Sequence, residues 1–506
     1  MSLVKSTVVI GSCTFLSRIF GFLRDMLIAN VIGASWLSDA FFLAFKLPNF
    51  FRRLFAEGAF NVAFVPLFAG KLEESGKNVA MRFASEALSV LLVVLLILNA
   101  AFLLFMPVLL PLIAPGFTDD PEKFDLTVTL ARIAFPYILL ISMVSLLGGI
   151  LNSLRKFAAV ALTPVLLNIV LIAALLGLSD YTETPAHALS WGVSIAGCVQ
   201  CLWLIIACKR ADALPSLLLP RITPQIKRLL VLIAPAALGA GVAQINLLID
   251  VILASRFEDG VSYLYYADRI TQLPIGVIGV AASTALLPML SSHLKAKRLD
   301  EARNILNQAI WFCLLFTLPA TMAILMIPEA LITVVFEHGA FDAGDTAEVY
   351  PALMAYAAGL PAFILVKLFA PGFYAAEDTR TPFIIATLCV GLNLALNLYL
   401  MQYYAHTGLA MATSIAGWVN TLLLGFFLQR RGRLVIDSAL MGRFIRIAIA
   451  CGLLAVALYY ANEAIALHTP FGLGLTIAAS LLIYAGAAQM VGAASLSDVK
   501  KLLRKQ

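Results

Sequence analysis

The sequence predicts an all-α polytopic membrane protein with fourteen transmembrane helices, and three observations carry this prediction. Of its 506 residues, 61% are hydrophobic and only 13% are charged, whereas a soluble domain carries about 25% charged residues. Apolar runs of about 20 residues, the length that a helix needs to cross a bilayer, recur along the chain. The basic residues between these runs also alternate in density, which indicates two different sides of a membrane.

The predicted spans follow one another with short loops. They cover residues 4–32, 36–69, 80–107, 127–153, 159–178, 187–208, 225–254, 262–291, 303–327, 347–373, 382–401, 407–428, 442–462 and 470–494. With the N-terminus inside, most of the 35 Lys and Arg residues fall on the cytoplasmic side, and the outer side holds only Lys123, Arg132 and Arg256. Positive residues favour the cytoplasmic face, so both termini are predicted to be cytoplasmic.

The spans differ in character along the chain. Spans 1 and 2 carry charges, glycines and prolines, which indicates bent helices whose freed backbone groups are satisfied by protein or water. Spans 3 to 6 are more uniformly apolar. The inner linker 209–228 is longer, basic and contains Pro215, Pro220 and Pro224, which makes it the best candidate for a domain boundary.

Beyond this linker the motif pattern repeats. Leu47-Pro48 is matched by Leu273-Pro274, and Gly116-Phe117 is matched by Gly339-Ala340-Phe341. We therefore predict two homologous six-helix lobes, 1–215 and 222–430, related as a parallel repeat. Spans 13 and 14, with a basic tail, form an appended segment at 440–506. Their apolar faces are expected either to pack on the second lobe or to cradle a lipid tail.

Several charges lie within the predicted spans, where each costs at least about 2.5–3.5 kcal/mol. Cations outnumber acids among them; the group comprises Arg18, Arg24, Asp25, Asp39, Lys46, Arg52, Arg53, Glu57, Asp268 and Arg269. Arginine stays charged and binds phosphate through two parallel hydrogen bonds. We therefore predict a water-filled cationic cavity that takes an anionic cargo.

The alternative for each arginine is an internal ion pair that holds helices together. Arg24-Asp25, Asp268-Arg269 and Arg52 with Glu57 are the pairs that the sequence offers. Arg18 and Arg24 are also six residues apart, about 600° of helical rotation, and cannot face one point on a straight helix. Either a bend near Gly21 or a structural partner for one of the two arginines is expected.

The sequence lacks the common motifs of enzymes and ATPases. No P-loop, nucleophile elbow or HExxH motif is present, and cysteines and histidines show no convincing metal-ligand spacing. We therefore predict no enzymatic activity, no cofactor, no metal and no nucleic-acid partner. Asp250, Asn393 and Asn397 could form an oxygen-lined cation site, although hydrogen bonds between helices are the simpler interpretation of the asparagines.

Four segments carry a specific resemblance. They are 17–25 (SRIFGFLRD), 38–41 (SDAF), 46–60 (KLPNFFRRLFAEGAF) and 265–269 (YYADR). Together they closely resemble the MurJ (MviN) family of lipid II flippases in the MOP exporter superfamily, and the resemblance extends over essentially the whole chain. It implies two lobes in a V around a central cavity, as in MATE transporters, with a groove for the undecaprenyl tail at the last two helices.

The resemblance also implies substrate-binding residues. The matching positions are Arg18, Arg24, Asp39, Arg52 and Arg269, together with Ser17, Asp25, Asn49, Glu57 and Ser262. The arginines would hold the pyrophosphate of lipid II. The chain departs from the pattern at Gln272, where we expect an acid shortly after the Asp-Arg pair, so no role that needs a charge at that position is expected.

The function that follows is alternating-access transport of lipid II from the inner to the outer leaflet of the bacterial cytoplasmic membrane, for peptidoglycan synthesis and cell shape. The expected partners are lipid II, membrane lipids and proteins of cell-wall synthesis, and the chain is expected to be a monomer. The alternatives are an exporter of another lipid-linked oligosaccharide or of drugs, a membrane glycosyltransferase or ligase, and a scaffold. A drug exporter with an acidic cavity would not need the surplus of arginines. An enzyme of the same lipid would need a catalytic carboxylate near a large outer loop.

Overall fold

A computed structural model describes residues 3–53, 60–464 and 467–494. All regular secondary structure within these residues is helical, as the hydropathy pattern predicts. The chain forms two compact units, 1–262 and 263–506. The first unit ends within helix α11, so α10 and the start of α11 belong to it.

Unit 1 contains ten helices and the first residues of an eleventh among its described residues. They are α1 (Leu3–Ile32), α2 (Trp36–Phe51), α3 (Asn61–Glu74), α4 (Lys77–Ile113), α5 (Pro121–Ala134), α6 (Tyr137–Ser153), α7 (Phe157–Ala161), α8 (Thr163–Leu178), α9 (Pro185–Arg210), α10 (Pro224–Ala254) and α11 (Gly260–Pro274), which continues into unit 2. Proline stands at the first position of α5, α9 and α10, where its missing N–H group is not needed.

The core of unit 1 is built from packed aromatic rings. Helix α2 packs against α5 and α9, α8 packs against α1 and α9, and α10 packs against α3 and α4. Phe64 stacks on both Phe68 and Phe83, with ring centroids 5.6 Å apart in each pair. Helices α1 and α2 carry most of the predicted site residues of the unit, and α1 packs against α8.

The inner linker lies along the first turns of α4. The backbone N–H of Ser216 donates to Ser85 Oγ at 2.9 Å, and that of Leu218 donates to Ser89 Oγ at 2.9 Å. Lys77 Nζ donates to Asp212 Oδ2 at 2.9 Å, and the ammonium group lowers the pKa of this carboxyl. Because α4 has 37 residues, it is about 55 Å long, which exceeds the thickness of a bilayer core.

Unit 2 contains seven helices after α11 among its described residues. They are α12 (Val280–Lys295), α13 (Leu299–Met326), α14 (Pro328–Phe336), α15 (Ala343–Tyr374), α16 (Arg380–Arg430), α17 (Ser438–Ala464) and α18 (Pro470–Met490). A π-helical turn at Ile275–Gly279 joins α11 to α12. Helix α16 is broken at Ala405 (φ 45°, ψ −132°), between the two spans predicted at 382–401 and 407–428.

The two C-terminal helices pack on the rest of unit 2 through α13. Tyr484 on α18 donates its hydroxyl hydrogen to Leu315 O at 2.6 Å, and Trp311 Nε1 donates to Ala493 O at 3.0 Å. Apolar side chains of α13, α17 and α18 form a common core around these bonds. The predicted packing on neighbouring helices is therefore present, and the lipid-tail groove stays a prediction.

Each predicted span falls on one helix or on consecutive helices. Nine helices of the described residues are long and apolar enough to cross a membrane, which supports a multi-pass membrane protein. Three predicted spans are interrupted within the described residues: the fourth at Phe135-Pro136, the fifth at Leu162 and the eighth at the π-helical turn. The second span includes residues 54–59, which lie outside the described part of the chain. The span count of fourteen and the two homologous lobes stay predictions, and α14 was not predicted as a separate helix.

Candidate functional site

Arg24 lies at the centre of a buried polar cluster on α1. Its side chain is held by Asp25, whose Oδ1 accepts from Arg24 Nε at 3.0 Å and from Nη2 at 2.6 Å. Asn168 Oδ1, on α8, accepts from Arg24 Nη1 at 2.9 Å. Arg24 is 5% exposed and Asp25 is 2% exposed. The Arg24-Asp25 ion pair that the sequence offered is therefore present, and Arg24 has a structural partner on a second helix.

The same asparagine also contacts the preceding turns of α1. Asn168 Nδ2 donates to Ser17 O at 3.0 Å and lies 3.5 Å from Ser17 Oγ. Arg18 is partly buried, and it makes no hydrogen bond or ion pair with any described side chain. The two arginines of α1 thus differ: Arg24 is anchored to α8, and Arg18 is not paired within the described part of the chain.

Arg52 lies at the C-terminal end of α2. Its Nε donates to Asn49 Oδ1 at 3.0 Å, and Asn49 Nδ2 donates to Phe45 O at 2.9 Å. Phe45, Asn49 and Arg52 are spaced i, i+4 and i+7, so they share one face of the helix. The guanidinium carbon of Arg24 lies 6.0 Å from the centroid of the Phe45 ring, which places Arg24 at this same face. Glu57, the predicted partner of Arg52, lies outside the described residues.

Asp39 belongs to a separate buried network. It is completely buried, and its Oδ2 accepts from Lys123 Nζ at 2.8 Å. Its Oδ1 accepts from both the backbone N–H and the hydroxyl of Ser262, each at 2.7 Å. The sequence grouped Lys123 with the outer loop charges, but its side chain is buried, and the ammonium lies 4.4 Å from the centroid of the Phe117 ring. Asp39 and Ser262 are therefore brought together, and Lys123 neutralises the carboxylate.

Arg269 lies in unit 2, on α11. Its Nη2 donates to the hydroxyl of Tyr265 at 2.7 Å, and its guanidinium carbon lies 4.4 Å from the centroid of the same ring. Gln272, where an acid was expected, donates from Nε2 to both carboxylate oxygens of Asp268, at 3.2 and 3.3 Å. The neutral amide at 272 thus binds the neighbouring acid.

The asparagines considered for a cation site are hydrogen-bonded within unit 2. Asn397 Nδ2 donates to Asn393 Oδ1 at 2.9 Å, and Asn393 Nδ2 donates to Thr413 Oγ1 at 3.3 Å. Both asparagines are buried, and Thr413 lies in the second half of α16. The bond from Asn393 to Thr413 crosses the break at Ala405, so the simpler interpretation, a hydrogen bond between helical segments, holds for Asn393.

Comparison with known proteins identifies the family. The model of the family described as "Lipid II flippase MurJ" matches residues 28–481. The chain belongs to the MurJ lipid II flippase family. A probable lipid II flippase MurJ of Rhizobium meliloti (strain 1021) is 46% identical over 100% of this chain and 97% of its own length. That of Rickettsia prowazekii (strain Madrid E) is 37% identical, over 97% of this chain and 98% of its own. The predicted resemblance to this family is thus confirmed.

Solved structures agree with this family assignment. A lipid II flippase MurJ in an inward closed conformation aligns with a TM-score of 0.82 at 28% identity, covering 96% of this chain and 98% of its own. An inward-facing MATE-family multidrug resistance transporter of the MOP superfamily aligns with a TM-score of 0.67 at 17% identity, covering 86% of this chain and 98% of its own. The second likeness shows the fold alone. MurJ-family members are transporters, which agrees with the lack of enzyme motifs.

Sequence reasoning missed three partners of the predicted residues: Asn168, Lys123 and Tyr265. The sequence contains one indication of Asn168, because it is the one polar side chain in the otherwise apolar stretch 164–178. Asparagine in a membrane helix commonly bonds to a neighbouring helix. Lys123 gave none, because it stands among loop acids and lies 84 residues from Asp39.

Proposed function

We propose that this MurJ-family chain moves lipid II across the cytoplasmic membrane by alternating access, with Arg18, Arg24, Arg52 and Arg269 binding the pyrophosphate. The lipid tail stays in the bilayer while the headgroup occupies a water-filled cavity. Family membership supports lipid II as the cargo. The contacts of the arginines support the way in which the cargo is bound.

The observation that carries the proposal is the shared face of α2 in unit 1. Arg52 and Asn49 lie on it, and the guanidinium of Arg24 lies against Phe45 one turn away. Two guanidinium groups on one side of a helix repel each other unless an anion or acids lie between them. A diphosphate supplies this negative charge, and guanidinium groups bind it with paired N–H donors.

Two buried acids of unit 1 already have cationic partners of their own. Asp39 is hydrogen-bonded to Lys123 and Ser262. Because Lys123 neutralises its charge, Asp39 does not offset the charge of the arginines. Asp25 is paired with Arg24, and Arg52 donates to the neutral Asn49 on α2. Arg18 has no acid partner among the described side chains. Ser17, Asn49 and Ser262 then act mainly as neutral groups that orient charged neighbours.

The remaining parts of the proposal concern the cellular context. Both termini lie in the cytoplasm of a bacterial cell, and the protein acts as a monomer in contact with membrane lipids and cell-wall synthesis proteins. Arg269, on α11, completes the set of arginines in this proposal. Another lipid-linked oligosaccharide is the alternative cargo, since it would present the same diphosphate.

A depletion and rescue experiment tests the proposal. Cells depleted of the protein should accumulate lipid II in the inner leaflet, where a hydrolase added outside cannot cleave it. Arg24→Ala, Arg52→Ala and Arg269→Ala should insert normally and fail to restore cleavage. Each removes hydrogen bonds to a charged group, worth about 1.5–3 kcal/mol, so cargo affinity should fall at least tenfold.

The matched control is Arg132→Ala. Arg132 is exposed and donates from Nε to the backbone oxygen of Leu103 at 2.9 Å, so its removal deletes an arginine without touching the site. This variant should restore growth and cleavage. Rescue by all three site variants, at normal membrane levels, would reject arginine binding of the cargo. Accumulation of a different lipid-linked oligosaccharide would instead favour the alternative cargo.

A further inference from the structure

Asn168 connects the arginine cluster of α1 to helix α8, and no prediction from the sequence included it. We propose that Asn168 is a positioning residue for lipid II transport, which orients the Arg24 guanidinium toward the diphosphate without touching the cargo itself. The inference rests on the proposed role of Arg24 in binding that diphosphate.

The geometry of the carboxamide supports this role. Its Oδ1 accepts from Arg24 Nη1 at 2.9 Å, while its Nδ2 donates to Ser17 O at 3.0 Å. One side chain on α8 therefore binds both a guanidinium and the backbone of α1 two turns earlier. Asn168 is 6% exposed, so both bonds lie out of bulk water, where hydrogen bonds are stronger and an unmade bond is costly. Rotation of Arg24 away from its present direction would break the bond to Asn168.

Gly21 provides the space for this contact. A Cβ atom built on Gly21 would lie 3.4 Å from Asn168 Nδ2, at the inner limit of ordinary contact. A side chain at position 21 would therefore begin in contact with the amide. The glycine that the sequence suggested as a bend in α1 thus has a second use, which is the close approach of α8.

The neutral charge of asparagine is the chemically decisive feature. Asp25 already supplies a carboxylate to Nε and Nη2 of Arg24. A second carboxylate at 168 would satisfy Nη1 equally well, but it would make the cluster negative and repel a diphosphate. A carboxamide accepts from the same N–H and leaves the net charge unchanged. The residue type at 168 is therefore suited to orient an arginine that must still attract an anion.

A double-mutant cycle tests the inference. Purified protein in detergent is titrated with lipid II, and the dissociation constant is measured for wild type, Asn168→Ala, Arg24→Ala and the double variant. Asn168→Ala should weaken binding about tenfold, the loss of one hydrogen bond to a charged group. It should add no further loss in the Arg24→Ala background, because the asparagine acts only through the arginine.

The charge argument has its own variant and a matched control. Asn168→Asp should keep the protein folded and weaken lipid II binding more than Asn168→Ala does, because it adds a negative charge beside the diphosphate. Gln200→Ala is the control, because Gln200 is also a buried amide that donates to a helix backbone oxygen, Thr163 O at 2.7 Å. It contacts no arginine in the described part of the chain and should bind lipid II with wild-type affinity.

Two results would overturn the inference, and they differ in what they reject. If Arg24→Ala weakens binding but Asn168→Ala behaves like Gln200→Ala, only the positioning role of Asn168 is wrong. Equal losses from Asn168→Ala in both backgrounds would likewise reject it. If Arg24→Ala binds lipid II as wild type does, the proposed role of Arg24 is wrong and the positioning role is rejected with it.

Discussion

The buried ion pair between Asp39 and Lys123 shows how a charged residue can be required for stability without contacting the cargo. Asp39 accepts three hydrogen bonds, one from Lys123 and two from Ser262 at the start of α11. A buried carboxylate is tolerated only with this degree of pairing. Removal of either partner leaves the other charge buried and unpaired, which is more costly than removal of both.

Single and double substitutions at this pair should therefore differ in stability. Asp39→Asn or Lys123→Met alone should destabilise the protein by about 3–5 kcal/mol, and the double variant should recover part of this loss. Thermal unfolding in detergent, monitored as the loss of folded protein, ranks the stabilities of the single and double variants. Lys77→Met is the control, because it breaks an exposed pair with Asp212. This variant should unfold at the same temperature as wild type. Additive losses at Asp39 and Lys123 would contradict the pairing.

The adjacent pair of Arg24 with Asp25 was visible in the sequence, but side-chain partners on other helices were not. Intramembrane charge is costly, and this made Arg18, Arg24, Asp39 and Arg52 visible from residue type alone. Their partners depend on which helices pack together. Asn168 lies 144 residues from Arg24, and no local pattern encodes that distance.

At the scale of elements, hydropathy located the helices but not their interruptions. The apolar runs predicted nearly every boundary within a few residues, because a membrane helix needs a minimum apolar length. The π-helical turn at Ile275–Gly279 and the separate helix α14 depend on local backbone packing. The compact units also divide the chain at 262, after the predicted linker boundary, because α10 packs on α3 and α4.

Two serine hydroxyls of α4 bind the inner linker 209–228, beside the Lys77–Asp212 pair and the bond from Thr223 Oγ1 to Glu86 Oε2. The contribution of the serines is testable. Ser85→Ala with Ser89→Ala removes the acceptors of the Ser216 and Leu218 N–H groups. The extended linker should detach, and trypsin should cleave after Arg210 or Arg221 several times faster than in wild type. Ser153→Ala is the matched control, because Ser153 donates only within its own helix, to Gly149 O. Equal cleavage rates in the double variant and in wild type would show that the linker is held by other contacts.

At the scale of the whole molecule, the distribution of basic residues predicts the orientation in the membrane. The linker 209–228 is basic and is placed inside, whereas the segment after α8 carries Asp180 and Glu183 and is placed outside. Lys and Arg in short loops favour the cytoplasmic side, and acids contribute little to orientation. The prediction therefore depends on the cations, and a span count changed by one would reverse every later loop.

Cysteine labelling in intact cells measures this orientation. Tyr181→Cys and Leu217→Cys place thiols at positions that are 86% and 70% exposed, on opposite predicted sides, in a background with the seven native cysteines replaced. A membrane-impermeant maleimide should label position 181 in intact spheroplasts and position 217 only after permeabilisation. Because the six predicted spans 1 to 6 separate the linker from the N-terminus by an even number of crossings, an inside location of position 217 supports a cytoplasmic N-terminus. Labelling of position 217 without permeabilisation would show that the predicted orientation is inverted. Each arginine of α1 would then lie nearer the other leaflet than predicted.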